Sequence, residues 1–404
     1  MTRARKKSVN RTNRKAAQST KPGKLALFIA TRKGLWIMRG DTARKTWRMN
    51  GPHFLGQIIN HAVLDPRDKR TLLVSASTGH LGPTMYRSSD AGRTFKEITK
   101  PPAFPKAPEG DKGDKGEKKG RSVAHTFWLT PAHANEPNVW YAGTSPQGLF
   151  RTEDGGDTWA PFSSVNDDPQ YREWMGTVQD GTPDGPKMHS IIVDPRDPKH
   201  LYFGMSGGGV HETVDGGATW KVMIDGMEVV EGFGLDPKLP TCHDPHVLRL
   251  CPSNPDRIYQ QNHCGIYRID RPSTTWTRIG RNMPKKVGDI GFPLVVHPRN
   301  DQTAWVFPMD GTQVWPRVSP DGKPAVYVTR NGGQTWQKQN AGMPKSQGWW
   351  TVKRQAMTSD ACAAVGLYFG TTSGEVWMSR DEGKKWSCIV QHLPEIYAVE
   401  TAAL

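Results

Sequence analysis

An aromatic residue recurs along this chain behind a short turn of Asp, Gly and Thr, and that recurrence constrains the fold more than any other feature. Four copies are clear: Ser89-Asp90-Ala91-Gly92-Arg93-Thr94-Phe95, Glu153-Asp154-Gly155-Gly156-Asp157-Thr158-Trp159, Val214-Asp215-Gly216-Gly217-Ala218-Thr219-Trp220 and Arg330-Asn331-Gly332-Gly333-Gln334-Thr335-Trp336. A fifth is worn, running from Asp381-Glu382-Gly383 to Trp386. Two more keep only an Asp and a Thr-Trp end, at Asp41 to Trp47 and Asp270 to Trp276. The seven aromatics stand 48 to 64 residues apart, the length of a four-stranded blade with variable loops, so the chain reads as a seven-bladed β-propeller.

Within one repeat, Ser190 to Met223, the runs Ile191–Val193, Leu201–Met205, Val210–Thr213 and Thr219–Met223 alternate with Asp-Pro or Gly turns and predict four strands. The turn itself has a mechanical reason. Its Asp accepts hydrogen bonds from nearby amides, its glycines reach positive φ, and its Trp plugs between sheets. These carboxylates are therefore read as structural, not catalytic. The first repeat lacks an inner strand before Leu25, while Ile396-Tyr397-Ala398-Val399-Glu400 follows the last turn without a partner. The C-terminal strand is expected to join blade one and close the ring, which removes exposed sheet edges.

Residues 25–404 thus read as a single propeller and residues 1–24 as a disordered basic tail. That tail holds nine of the 54 Lys and Arg and no acid, so the net charge of +15 does not mark the folded body as a nucleic-acid binder. Nucleic acid enters only as a partner of the tail. No apolar run is long enough to span a membrane or to act as a signal, which implies a cytoplasmic protein without a membrane partner. Five cysteines without a Cys-x-x-Cys pair argue against a disulfide framework.

The repeated turn resembles that of the BNR/Asp-box superfamily, which includes sialidases, sortilin-type receptors and photosystem assembly-factor-like propellers. The likeness covers nearly the whole chain after residue 24. Gly204-Met205-Ser206-Gly207-Gly208-Gly209 and Val287-Gly288-Asp289-Ile290-Gly291-Phe292-Pro293 look like segments of bacterial BNR-like repeat proteins. The resemblance implies a propeller. Its members include both hydrolases and binding scaffolds, so it leaves function open. Sialidases carry a Phe/Tyr-Arg-Ile-Pro segment near their start. Here the nearest string, Tyr267-Arg268-Ile269-Asp270, lies mid-chain and reads as a third strand.

Strand order sorts the loops by face. Asp-Pro turns and the repeated Asp turns occupy one side. The long insertions 98–124, 162–188, 224–245 and 309–324 occupy the other, where sites are usually built. On that side begins each inner strand, and histidines recur there: His125, His189 and His246 each stand six residues before a proline, with His61 one residue off this register. Blade symmetry predicts four imidazoles aimed at one axial point, a set that suits a divalent zinc, iron or copper ion. Asp244 is the candidate general base and Arg354 the candidate substrate clamp. Lys353, Trp350, His263 and His243 are candidate substrate contacts, with Trp349, Trp174 and Trp315 as further stacking surfaces.

The leading expectation is a metal-dependent small-molecule hydrolase, lyase or oxidase. The alternative is a glycan-active glycosyl hydrolase of sialidase-like fold, using pairs among Asp244, Asp289 and Asp310. A third reading is a non-enzymatic scaffold.

Overall fold

The computed structural model describes residues 23–106, 121–175, 186–229, 234–312 and 316–404. Among these, seven four-stranded antiparallel sheets follow one another around a ring. From the axis outward, blade two runs Ile58–Leu64, Leu72–Thr78, Gly82–Ser88 and Lys96–Glu97, and blade three begins with His125–Pro131. Blades four to seven begin with the inner strands Met188–Val193, Pro245–Cys251, Gly291–His297 and Met357–Ser359. The seven-bladed expectation holds. The basic tail before residue 23, most of the insertion 98–124 and Trp315 lie outside the described residues. No helix among the described residues is long and apolar enough to cross a membrane.

Ring closure follows the sequence reading. Ile396–Ala403 pairs antiparallel with Lys24–Thr31, so the C-terminal strand is the innermost strand of blade one. Both are almost continuously apolar, Leu25 to Ala30 and Ile396 to Val399, as strands covered on two faces must be.

The repeated turn works as its chemistry predicts. Asp154 Oδ1 accepts from the amides of Asp157 (2.9 Å) and Thr158 (3.0 Å), while Oδ2 accepts from the Thr158 hydroxyl (2.6 Å). Burial opposes ionisation of this carboxyl, but those donors outweigh it and hold the pKa down at about 2. Gly155 and Gly156 sit at φ +73° and +95°, and a Cβ on Gly156 would meet Leu73 of the preceding blade at 2.7 Å. Trp159 is buried against Leu73 and Met85 of that same blade. Trp276 likewise packs on Tyr202 and Met223 of blade four, and Trp386 on Trp305 and Val328 of blade six. Each aromatic is thus a wedge between neighbouring sheets, and removing one costs about 3–5 kcal/mol. The worn copy at Asp270 differs, because its carboxylate pairs with Arg257 and Arg268 instead of bracing its own turn.

The central channel is filled by side chains that cross it. Arg249 of blade five lies 5.2 Å from the ring of Trp128 in blade three. Gln355, at the start of blade seven, donates to the Phe127 carbonyl of blade three (2.8 Å).

Candidate functional site

The loops that precede inner strands and the turns between second and third strands do share a face. Arg354, leading into blade seven, donates through Nη1 to Ser206 Oγ in the second turn of blade four, 2.7 Å away. That bond spans the mouth of the channel, because blades four and seven lie on opposite sides of the ring.

The four inner-strand histidines do not converge, and this corrects the expected metal centre. The His61 and His189 rings are taken up by groups of neighbouring blades. His61 Nδ1 accepts the Leu129 amide (3.0 Å), so its other nitrogen carries the proton and donates to Glu400 (3.2 Å). Neither nitrogen keeps a lone pair for a metal. His189 Nε2 faces the Pro245 carbonyl (2.8 Å), which only accepts, so Nε2 holds the proton. Its Nδ1 accepts from the Ser190 hydroxyl (2.9 Å), whose own oxygen accepts from the Leu248 amide (3.0 Å). His125 stands at the start of blade three with its ring 6.1 Å from that of Phe127, and among the described residues it is not part of a group that could hold a metal ion. The physical reason lies in the strands. Three of the four blades have a register shift beside or across the histidine, at Ile59/His61, His189/Ile192 and Pro245/Val247, and the fourth shifts one residue past its histidine, at Thr126/Trp128. Equal spacing in sequence therefore does not give equal side-chain direction.

His246 is the exception. Its Nδ1 donates to the Gly291 carbonyl of blade six (2.6 Å), which leaves Nε2 facing Asp244 Oδ2 at 3.4 Å. His263, in the second turn of the same blade, places Nδ1 3.9 Å from that oxygen, and its backbone amide donates to the Asp244 carbonyl (2.9 Å). Arg354 Nη2 stands 3.9 Å from Asp244 Oδ1, a buried oxygen with no hydrogen-bond partner among the described residues. The Asp244 side chain keeps 20% exposure, so this cluster opens to solvent at the channel mouth.

Burial disfavours charge on Asp244, but the imidazoles and Arg354 overcome it and hold the carboxyl well below the usual carboxylate range. Burial also lowers His246, and it pushes His263 down to about 4, with help from the charges around it. At neutral pH the cluster is one ionised carboxylate, two neutral imidazoles and one guanidinium.

The other expected contacts go elsewhere. Trp350 is not a ligand surface: it is buried in the core of blades six and seven, 5.0 Å from the ring of Trp377. Its neighbour Trp349 is 52% exposed. Lys353 turns to Glu395 (2.9 Å) and to the ring of Tyr397 (3.8 Å) on the closing segment. His243 is buried, donates through Nε2 to the Pro237 carbonyl (2.8 Å), and lends its own carbonyl to the amides of Gly208 and Gly209. Asp289 is held bidentately by Arg278 (2.9 and 3.0 Å), and Asp310 braces the Thr312 amide (2.9 Å). Among the described residues, Asp244 is thus the one carboxylate of the cluster. Sequence reasoning missed Ser206 and Gly291, whose roles come from a hydroxyl and a carbonyl brought in by other blades.

Taken together, the strands and the site make a seven-bladed β-propeller with a polar cluster at its axis. Known proteins agree on the fold. The chain is 23% identical over 356 residues to a probable oligoxyloglucan-reducing end-specific xyloglucanase of Neosartorya fischeri, and 22% identical over 353 residues to the oligoxyloglucan-reducing end-specific xyloglucanase of Emericella nidulans. Each match covers 80% of this chain but only 38% of the relative's length. In three dimensions the chain superposes on the GH74 xyloglucanase of Xanthomonas campestris with a TM-score of 0.62 and 18% identity, covering 91% of this chain and 52% of that one. No family profile matches the sequence.

Proposed function

We propose that this propeller binds a glycan at the mouth of its axial channel. One observation carries the reading: an ionised, mostly buried carboxylate, Asp244, has an oxygen without a hydrogen-bond partner beside the Arg354 guanidinium, on the face that bears the long loops. A carboxylate and a guanidinium side by side offer acceptors and donors to vicinal hydroxyls, and the exposed Trp349 on the same face offers a ring for a sugar to stack on. The xyloglucanase names of the relatives support a glycan as the ligand class. Hydrolysis of a glycosidic bond takes two carboxyl groups about 5–9.5 Å apart. Asp289 and Asp310 are both occupied structurally, so this cluster by itself supplies recognition.

Calorimetric titration with xyloglucan oligosaccharides tests the proposal. Saturable binding is expected, weakened at least tenfold by Asp244→Asn and by Arg354→Met, and a few-fold by Trp349→Ala. Absence of binding across xyloglucan, cello- and xylo-oligosaccharides would sink it. Release of reducing ends by the wild-type chain would show that a second carboxyl takes part.

A further inference from the structure

We propose that Asp244, His246 and His263 form a binding site for one divalent first-row transition ion, of the zinc and ferrous-iron class, independently of any glycan. The three ligating atoms lie within 4.8 Å of one another, and all three come from blade five. Two donors about 2.05 Å from a tetrahedral ion stand about 3.4 Å apart. His246 Nε2 and Asp244 Oδ2 are separated by 3.4 Å, and His263 Nδ1 stands 3.9 Å from the same oxygen, so closure takes only a small turn of one ring. A charge-assisted hydrogen bond between imidazolium and carboxylate would be shorter, about 2.7–2.9 Å.

The surroundings match what a metal-binding histidine requires. The Gly291 carbonyl accepts from His246 Nδ1, which fixes the tautomer and aims the Nε2 lone pair inward. The bond from the His263 amide to the Asp244 carbonyl fixes the second turn against the first ligand. Arg354 faces the other carboxylate oxygen, so Oδ2 is the one left for the ion. Two imidazoles and one carboxylate supply three ligands and leave further positions open to water or substrate, as catalytic sites of this donor set do.

The test uses the full chain without a histidine tag, freed of metal and titrated with cobalt(II). We expect one cobalt per chain, with visible absorption bands of a low-coordinate site and a rise in melting temperature. His246→Ala and His263→Ala should each weaken binding at least 100-fold, and Asp244→Asn at least tenfold. His80→Ala, on an exposed turn of the same face, should bind as the wild type does. The rise in melting temperature should vanish in the ligand variants while their metal-free melting remains cooperative. If a ligand variant fails to fold, His263→Asn, in the solvent-facing turn, carries the same expectation. Failure of the wild type to bind one cobalt, or affinity surviving in either histidine variant, overturns the site. The glycan titration, run on the same metal-free chain, is read separately, so its result and the cobalt result can fail independently.

Discussion

His189 in blade four and His246 in blade five occupy the same place in the repeat, six residues before the proline that follows their inner strand, yet their second ring nitrogens meet different partners. His189 is followed by Ser190, whose hydroxyl takes one ring nitrogen while the Pro245 carbonyl takes the other. His246 is followed by Val247, which has no hydroxyl to offer, and stands two residues after Asp244, where blade four has Lys187. One histidine is a saturated staple between blades. The other is stapled by a single nitrogen and presents the second to a carboxylate. A site arises in this ring where a staple is left half made.

Replacing each histidine tests the contrast most severely. His189→Ala opens a cavity in a fully buried place and leaves the Pro245 carbonyl and the Ser190 hydroxyl without their partner. A loss of about 3 kcal/mol is expected in urea unfolding, with ligand binding little changed. His246→Ala should cost less stability, about 1–2 kcal/mol, and should remove metal binding. If His189→Ala abolished binding at unchanged stability, the division of labour would be wrong.

Acid probes the saturated class as a group. Burial lowers His189 well below its ordinary pKa and takes His211, which bonds Tyr171 and the Gly208 carbonyl, to about 4. The unfolded chain then binds protons that the folded chain refuses. The stability contributed by these neutral rings is full above about pH 6.5 and is lost as pH falls toward 4. His211→Gln should flatten that slope by up to about 3 kcal/mol, read from urea midpoints between pH 7 and pH 4. An unchanged slope would show that the ring is not held neutral.

Ser190→Ala sharpens the comparison further. It leaves the Leu248 amide and His189 Nδ1 unpaired at no change in backbone shape, and about 1–2 kcal/mol should be lost. The smallest effect belongs to the turns. Asp154→Ala should cost about 1 kcal/mol by releasing the Asp157 and Thr158 amides into solvent. Equal costs at Asp154 and at a surface acid such as Glu153 would mean the turn carboxylate contributes nothing.

Much of the fold could be read along the chain because it is written in local signals. The seven turn aromatics, the glycines at positive φ and the orphan strand at Ile396 each need only a few neighbouring residues to be recognised. The face that carries the site was legible for the same reason, since strand order alone sorts the loops. Within the cluster, Asp244, His246, His263 and Arg354 were all singled out by position. Their grouping was not. Trp350 and Trp349 are adjacent in sequence, and only packing against Trp377 and Phe369 decides that the first is core and the second is exposed.

Periodicity and turn chemistry act over short spans, so the number of blades, the strand that closes the ring and the residues that stand at its axis follow from residue order alone. The tertiary structure alone decided which imidazole keeps a usable nitrogen. That depends on carbonyls and amides of the next blade, Pro245, Gly291 and Leu129, and on irregular strand register that turns one ring away from its counterpart. Hydrogen-bond partners fixed across blades leave no trace in the spacing of the residues they bind.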